Sequence, residues 1–382
     1  MPSLYVHIPF CEKKCPYCDF YSVEGDAQME RFGAALGREA RLLGESFGAW
    51  RFGTLYIGGG TPSILPPSGF ERMLDHLRRS FHFLPECELT VEVNPGTVTD
   101  KRLRLYRALG VNRLSIGIQS FRDEDLHFLG RIHSAREAEE CFDAARRAGF
   151  DNISIDLIYS LPGQHPQDWE YSLRRAAMLD PEHISAYSLI VEPGTPFSLM
   201  VEQGRWTPNS EENEADLYGR TMELLEAAGY EHYEVSNYAR PGFQSRHNSS
   251  YWLHESYLGL GPSAHSFAAL GGEELVGKRW WNLAALVPYL DSLEGGRLPV
   301  ASCEHLDRKT MTNERILLGL RSNGVGLEAL RGEGQDGLGA ERGALVRELV
   351  SQGLAVLSSG TLRLTRQGFL VCDEIARRFM IG

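Results

Sequence analysis

Short β-branched segments alternate with amphipathic helical patterns along the first two-thirds of the chain. The segments predict strands at Leu4–Ile8, Thr54–Ile57, Leu89–Val93, Arg113–Ile118, Ile153–Ile158 and Ile184–Ile190. The patterns between them predict helices at Asp26–Leu43, Phe70–Arg79, Lys101–Leu109, Ala135–Ala148, Asp168–Met178 and Glu211–Ala228. A strand–helix alternation repeated six times is typical of parallel βαβ units. It therefore predicts an α/β fold, either a TIM-like barrel or a doubly wound sheet.

Polar side chains near the ends of three strands favour the barrel. Glu92, Gln119 and Asp156 each stand near the carboxyl end of a predicted strand. Functional groups of a barrel come from these ends, where they surround one mouth. We therefore expect a partial (β/α)6 TIM-like barrel.

The last third of the chain has a different pattern. Positions 229–290 are irregular and rich in aromatic residues. After Pro299 the pattern predicts helices, a hairpin and a last helix, at Lys309–Arg321, Gly343–Gln352, Leu354–Leu357 with Leu362–Leu364, and Gln367–Phe379. This order resembles an α+β winged-helix module. We therefore expect three parts: a barrel domain at 1–230, an aromatic-rich segment at 231–298 that completes the barrel region, and a winged-helix-like domain at 299–382.

Charge argues against a nucleic-acid partner. The 382 residues include 39 basic and 51 acidic side chains, giving a net charge of −12. The winged-helix-like part has 11 basic and 10 acidic residues, without the basic excess that DNA binding needs. No run of 18 apolar residues occurs, and ten residues before the first cysteine are too few for a signal peptide. We expect a cytoplasmic protein.

Three of the seven cysteines are closely spaced. Cys11, Cys15 and Cys18 have the spacing C-x3-C-x2-C. They could form a zinc site with His7 as the fourth ligand, or a redox pair at Cys15 and Cys18. They could also hold a [4Fe–4S] cluster through three thiolates, which leaves one iron open to a ligand. The absence of a nearby fourth cysteine in the sequence favours the cluster.

A second candidate motif follows the second predicted strand. It reads Gly58-Gly59-Gly60-Thr61-Pro62. Three glycines allow a ligand to approach the backbone closely and leave amide groups to bind it. Arg131 could hold a carboxylate with its planar guanidinium. The alternative for the strand-end carboxylates is a buried ion pair with Arg113 or Arg131.

The segment from Tyr5 through the three cysteines to Phe20 resembles the cluster loop of radical S-adenosylmethionine (SAM) proteins. More narrowly, the chain resembles the oxygen-independent coproporphyrinogen III oxidase family and its HemW-type heme chaperone branch, over essentially its whole length. The resemblance implies a [4Fe–4S] cluster and SAM as cofactors. It assigns the cluster to Cys11, Cys15 and Cys18.

The resemblance also assigns the SAM contacts. The glycine-rich residues Gly59, Gly60 and Thr61 would hold the methionine amino group and backbone, and Arg131 its carboxylate. Gln119 and Asp156 would hold the ribose hydroxyls. Three further residues would lie nearby: Tyr17 against adenine, Tyr5 beside the cluster and SAM, and Glu92 beside the methionine end.

Three features separate the chaperone branch from the oxidases. Resembling oxidases have a fourth cysteine where this chain has Phe20, and a long N-terminal extension where this chain has ten residues. His247-Asn248-Ser-Ser-Tyr251-Trp252 matches the H-N-x-x-Y-W stretch implicated in heme binding in the HemW-type branch. His247 is therefore the candidate heme ligand, with His265 and His232 as rivals. The alternative is that His247 only hydrogen-bonds a loop.

The sequence thus predicts a heme chaperone on a radical SAM scaffold. Its expected partners are heme, SAM and a heme-acceptor protein, which could be membrane-associated. The site is expected to bind SAM, and the sequence does not decide whether SAM is cleaved there. Coproporphyrinogen oxidase activity is not expected. A coproporphyrinogen III oxidase or a related porphyrin-modifying enzyme is the alternative. A zinc-stabilised barrel without SAM chemistry is the third hypothesis.

Overall fold

A computed structural model describes residues 1–270, 275–331 and 338–380. In chain order the strands are β1 (Ser3–Ile8), β2 (Phe10–Cys11), β3 (Val23–Glu24), β4 (Arg51–Gly59), β5 (His82–Val93), β6 (Arg113–Gln119), β7 (Ile153–Tyr159), β8 (His183–Ser188), β9 (Glu231–Glu234), β10 (Asn237–Ala239), β11 (Tyr257–Leu260), β12 (His265–Ala269), β13 (Leu275–Asn282), β14 (Val300–Asp307), β15 (Val325–Gly326), β16 (Ala355–Ser358) and β17 (Thr361–Leu364). A short 3₁₀ helix spans Pro62–Ile64.

The helices surround the main sheet and fill the carboxyl-terminal part of the chain. They are α1 (Met29–Phe47), α2 (Pro67–Ser80), α3 (Asp100–Ala108), α4 (Asp123–Phe128), α5 (Ala135–Arg147), α6 (Pro166–Met178), α7 (Pro196–Glu202), α8 (Glu211–Ala227), α9 (Arg246–Trp252), α10 (Leu286–Glu294), α11 (Arg308–Leu320), α12 (Gly339–Ser351), α13 (Arg366–Phe369) and α14 (Cys372–Phe379).

The six predicted strands lie side by side in chain order. Strands β1, β4, β5, β6, β7 and β8 are neighbours in one sheet and every pair of neighbours is parallel. Their apolar residues are almost completely buried, and the helices between them bury one apolar face, as in α5. Parallel strands covered by crossover helices need such apolar surfaces. The partial (β/α)6 barrel is confirmed.

The sheet extends beyond these six strands at both ends. Strand β11 pairs parallel with β1, and β12, β13 and β14 follow as antiparallel neighbours. At the other end β10 and β9 add antiparallel strands to β8. The irregular sequence pattern at positions 229–290 predicted none of these strands, because short strands with aromatic side chains lack the clear period-2 alternation of a half-buried strand.

Helix α1 is fixed to the β11–β12 end of the sheet by one buried carboxylate. Glu39 accepts hydrogen bonds from the Gly261 N–H at 2.9 Å, Asn282 Nδ2 at 2.6 Å and the Tyr289 hydroxyl at 2.6 Å. Burial raises the pKa of Glu39 to about 7, although these three bonds oppose the shift. A buried carboxylate needs such partners.

The carboxyl-terminal part contains the predicted hairpin. Strands β16 and β17 pair antiparallel, and β15 adds a third strand beside β17. The predicted last helix is interrupted at Leu370–Val371, between α13 and α14. The Val235 N–H donates to the Arg321 carbonyl at 2.9 Å, which joins this part to the β9–β10 turn. Strand β14 belongs to the main sheet, and the division at 230 and 298 stays a prediction.

Within the described ranges, none of the helices combines the length and apolarity needed to span a bilayer.

Candidate functional site

One cavity of about 700 Å³ opens at the carboxyl ends of the parallel strands. Most of the predicted site residues line it: Cys11, Cys15, Tyr17, Cys18, Gly59, Gly60, Thr61, Glu92, Gln119, Arg131 and Asp156. Residues that are separated by up to 145 positions in sequence therefore share one site. Tyr5 and His247 are the predicted site residues that are not part of this lining.

The cysteine loop forms one wall of the cavity. It begins at β2, which pairs parallel with β3, and the Gly25 N–H donates to the Cys11 carbonyl at 3.3 Å. The Cys18 N–H donates to the Cys15 carbonyl at 3.1 Å, which forms a tight turn. All three cysteines line the cavity. In the described ranges, no three His, Cys, Asp or Glu side chains converge closely enough for a single metal ion.

His7 has other partners than a metal. Its Nε2 lies 2.8 Å from the Tyr21 carbonyl oxygen and its Nδ1 lies 3.1 Å from the Tyr5 hydroxyl. The ring is buried, and burial lowers its pKa. Because both ring nitrogens are engaged, His7 is a poor candidate for the fourth ligand of a zinc site.

The glycine run is required by the protein's own packing. A Cβ at Gly58 would lie 2.7 Å from the Glu92 carboxyl group, and one at Gly59, where φ is +109°, would lie 2.6 Å from His7 Nδ1. The prediction that the amide groups are left for a ligand was wrong. The Gly59 N–H donates to Glu92, and the next two N–H groups, of Gly60 and Thr61, donate to backbone carbonyls.

Two carboxylates line the cavity, and no arginine among the described residues donates a hydrogen bond to either of them. Glu92 accepts from the Tyr56 hydroxyl at 2.8 Å and from the Gly59 N–H at 3.0 Å. Asp156 accepts from Ser115 Oγ, 3.1 Å from Oδ1 and 3.0 Å from Oδ2. Burial raises the pKa of Glu92 to about 7 and raises that of Asp156, while Arg113 lowers both pKa values. These carboxylates can accept further hydrogen bonds from a ligand.

Arg131 lines the cavity and contacts the cysteine loop, since its Nη1 donates to Cys15 Sγ at 3.6 Å. Its Nη2 donates to Asn94 Oδ1 at 2.7 Å and to the Gly117 carbonyl at 2.8 Å. Its Nε is buried and, among the described residues, has no hydrogen-bond partner. Burial opposes the positive charge, but Tyr17 and Cys15 outweigh that effect and raise the pKa of Arg131. An unsatisfied buried N–H beside a cavity fits an anionic ligand.

These observations fit the two cofactors that the sequence indicates. Three thiols share one wall, and two of them accept hydrogen bonds from side chains, as cluster sulfurs commonly do. The two carboxylates in the same lining, and the Arg131 Nε–H that lacks a partner among the described residues, suit a ligand with hydroxyls, an amino group and a carboxylate.

His247 lies at the base of the barrel instead of in the cavity. It is 2 % exposed and belongs to α9, whose first N–H groups donate to Glu88. Its Nδ1 lies 2.7 Å from Thr54 Oγ1 and its Nε2 lies 3.0 Å from the Tyr251 hydroxyl. Burial lowers its pKa to about 3. Tyr5 lies beside this group, with 6.5 Å between its ring centroid and that of His247.

The two rival histidines have different surroundings. His232 stacks on Tyr238 with 4.6 Å between ring centroids and contacts Phe369 of α13 at 4.5 Å. Burial lowers its pKa to about 4. His265 is exposed and stacks on Trp281 of the neighbouring strand at 5.7 Å. Of the three histidines, His265 is the one that an external ligand reaches most directly.

Some lining residues were not among the predicted site residues. They include Asn94, Arg113, Asn248 and Tyr187. The alternation of a strand could have revealed Asn94, since it follows Glu92 by two residues and so shares its face. Asn248 reaches the cavity from α9, and only the fold reveals that placement.

Known proteins resemble the whole chain. A family model described as the Radical SAM superfamily matches residues 5–176, and one described as the HemN C-terminal domain matches residues 306–371. The heme chaperone HemW of Bacillus subtilis is 35% identical over 100% of this chain and 99% of its own. That of Mycobacterium tuberculosis is 34% identical over 99% of this chain and 94% of its own.

The fold is also similar to that of a solved structure. Coproporphyrinogen III oxidase (HemN) from Escherichia coli, a radical SAM enzyme, superposes with a TM-score of 0.82 and 26% identity, over 99% of this chain and 90% of that chain. The radical SAM family implies a [4Fe–4S] cluster and SAM. With the cysteine loop, the parallel barrel and full-length relatives in agreement, the chain belongs to the HemW family of radical SAM proteins.

Proposed function

We propose that this protein is a heme chaperone, which binds heme and transfers it to an acceptor protein. The observation that carries the proposal is the full-length similarity to the Bacillus subtilis heme chaperone HemW, at 35% identity. The similarity includes the cysteine loop, the barrel and the carboxyl-terminal part. A cytoplasmic location stays a prediction from the sequence.

The proposed heme chaperone would also hold a cluster and SAM in its cavity. Cys11, Cys15 and Cys18 would ligate the cluster, which together with SAM supplies one-electron chemistry. Arg131 would bind the SAM carboxylate through its unsatisfied Nε, and Asp156 would accept hydrogen bonds from ribose hydroxyls. Glu92 holds the glycine run in place and would face the SAM amino group.

The mouth of the cavity suits a flat apolar molecule. Phe20, Tyr187 and Ile190 line the cavity and are exposed, Phe20 to 66%. Such side chains can pack against a porphyrin face. Phe20 also occupies the position at which the resembling oxidases have a fourth cysteine. Both features favour holding a porphyrin over decarboxylating its propionates.

The heme ligand is a separate question within the proposal. His247 is the first candidate, but either ring nitrogen must leave its hydrogen bond to Thr54 or Tyr251 before it can bind iron. Because the ring is buried, ligation by His247 also requires the packing around it to open. His265 needs no such step, since its ring is exposed.

One preparation tests the function. Anaerobically reconstituted protein should contain about four irons and four sulfides per chain. It should bind heme saturably and convert negligible coproporphyrinogen III to protoporphyrinogen IX with SAM and a reductant. Multiple-turnover decarboxylation without heme binding would support the oxidase instead.

Three variants then locate the ligand. His247→Ala, His265→Ala and His232→Ala should be titrated with heme under the same conditions. The true ligand is the residue whose loss changes the heme absorption spectrum while the cluster content is unchanged. An unchanged spectrum in all three would place the ligand outside these histidines.

A further inference from the structure

Three polar side chains connect two of the cluster cysteines. The Thr61 hydroxyl donates to Cys11 Sγ at 3.6 Å, and Arg131 Nη1 donates to Cys15 Sγ at 3.6 Å. Asn94 lies between the two donors. Its Nδ2 donates to Thr61 Oγ1 at 3.0 Å, and its Oδ1 accepts from Arg131 Nη2 at 2.7 Å.

Asn94 sets the direction of this chain of hydrogen bonds. The Thr61 hydroxyl has a single proton, and its oxygen already accepts from Asn94, so the proton is available to Cys11. The guanidinium can only donate, so the Asn94 oxygen must face Arg131 and the amide nitrogen must face Thr61. The network therefore has one polarity, which ends on the two sulfurs.

The surroundings hold Asn94 in this position. A Cβ at Gly117 would lie 2.7 Å from Asn94 Oδ1, so the backbone of β6 packs directly against the amide. The Gly117 carbonyl also accepts from Arg131 Nη2 at 2.8 Å. Thr61 is buried and its N–H is bonded to the Phe10 carbonyl at 2.7 Å.

We propose that Asn94 is a positioning residue that directs one hydrogen bond to each of Cys11 and Cys15 and so raises the reduction potential of the cluster they hold. Hydrogen bonds to cluster sulfurs are one of the factors that set this potential. The one-electron couple adds negative charge to the sulfurs, so donors stabilise the reduced form more than the oxidised form. No bond is made or broken in the couple. The proposal is independent of the heme role.

The experiment is a potentiometric titration of the reconstituted full chain without SAM. Mediators supply the electron, and electron paramagnetic resonance measures the reduced cluster. At the midpoint potential of the natural protein, Asn94→Leu should lower the ratio of reduced to oxidised cluster about tenfold, which equals about 59 mV for one electron. Thr61→Val should lower it by less, because the Arg131 bond remains. Thr61→Ser keeps the hydroxyl and should leave the ratio unchanged.

Thr90→Val is the matched control. Thr90 is a fully buried threonine of β5 whose hydroxyl has no hydrogen-bond partner among the described residues. The substitution makes the same change of atoms as Thr61→Val without removing a hydrogen bond to a cysteine. Its reduction potential should equal that of the natural protein.

Iron and sulfide content is measured for every variant. An unchanged potential in Asn94→Leu with a full cluster overturns the proposal. If Asn94→Leu loses its cluster, the reduction potentials of Thr61→Val and Thr61→Ser are compared instead. Equal potentials in these two variants overturn the proposal. Cluster loss in Thr61→Val with retention in Thr61→Ser also overturns it, because the hydroxyl would then retain the cluster instead of tuning it. A natural protein without a cluster contradicts the cysteine assignment itself.

Discussion

The imidazole of His247 stacks on the ring of Tyr56, with 4.9 Å between centroids and 29° between planes. Tyr56 in turn donates its hydroxyl to Glu92 on the cavity wall at 2.8 Å. One tyrosine therefore connects α9 to a carboxylate that lines the cavity. A substitution of His247 acts first on this packing, whether or not heme is present.

Removal of the His247 ring should destabilise the cluster-free protein. His247→Ala leaves the buried Thr54 hydroxyl and the Tyr251 hydroxyl without their partner. We expect the free energy of unfolding to fall by about 2–4 kcal/mol, measured by denaturant titration. His265→Ala, at an exposed ring, should change it by no more than about 0.5 kcal/mol. Equal stability of the two variants would contradict the buried contacts.

The cluster should depend on three cysteines and no others. Cys11→Ala, Cys15→Ala or Cys18→Ala should each abolish the iron–sulfur chromophore, because each removes one thiolate from a site with three. Buried Cys141→Ala and exposed Cys303→Ala should retain about four irons per chain. Stoichiometric zinc in the natural protein, without an iron–sulfur chromophore, would refute the cluster.

SAM affinity should depend on the shape of the Arg131 guanidinium. Arg131→Ala should weaken binding by about 1.5–3 kcal/mol, which is the range for a hydrogen bond to a charged group. Arg131→Lys should recover only part of this, since an ammonium cannot reproduce the planar pair of donors. Calorimetric titration of reconstituted protein measures both.

A distant arginine provides the control for this comparison. Arg136→Ala removes an exposed guanidinium that pairs with Glu140, outside the cavity. Its affinity for SAM should match that of the natural protein. The same affinity in Arg131→Ala would remove Arg131 from the binding site.

The sequence predicted the parts of the molecule that repeat. Six strand–helix units have strong periodicity, and Asp156, which was predicted near a strand end, lies in the middle of β7 and lines the cavity. The cysteine motif could also be recognised from the sequence, because its three residues are close together in the chain, and all three line the cavity. The sequence could not reveal that Asn94 joins Thr61 to Arg131, because that contact depends on how three separate loops pack.

His247 is a residue whose surroundings the sequence motif could not predict. Its motif suggested a ligand, whereas the fold provides both ring nitrogens with partners and encloses the ring beneath Tyr56. Sequence spacing within α9 gives no information about β4, which supplies Thr54 and Tyr56. The assignment of this residue to heme therefore stays a prediction.

Stability should decrease as pH rises through the titration of Glu39. Burial raises its pKa from 4.5 to about 7, so between these values the folded protein holds a proton that the unfolded chain has released. The free energy of unfolding therefore falls with rising pH over this window, by up to about 3 kcal/mol, and is constant above it. Glu39→Gln cannot titrate and should lack this fall.

The measurement is the difference in unfolding free energy between the cluster-free natural protein and Glu39→Gln, across pH 4.5 to 7. Other buried carboxyls titrate equally in both proteins, so the difference isolates Glu39. Glu294→Gln is a control of opposite sign, because the hydrogen bond from Arg31 lowers the pKa of Glu294 and its contribution is lost only as the pH falls. A difference for Glu39→Gln that is constant over the window would show that Glu39 is ionised throughout, and that its three donors outweigh its burial.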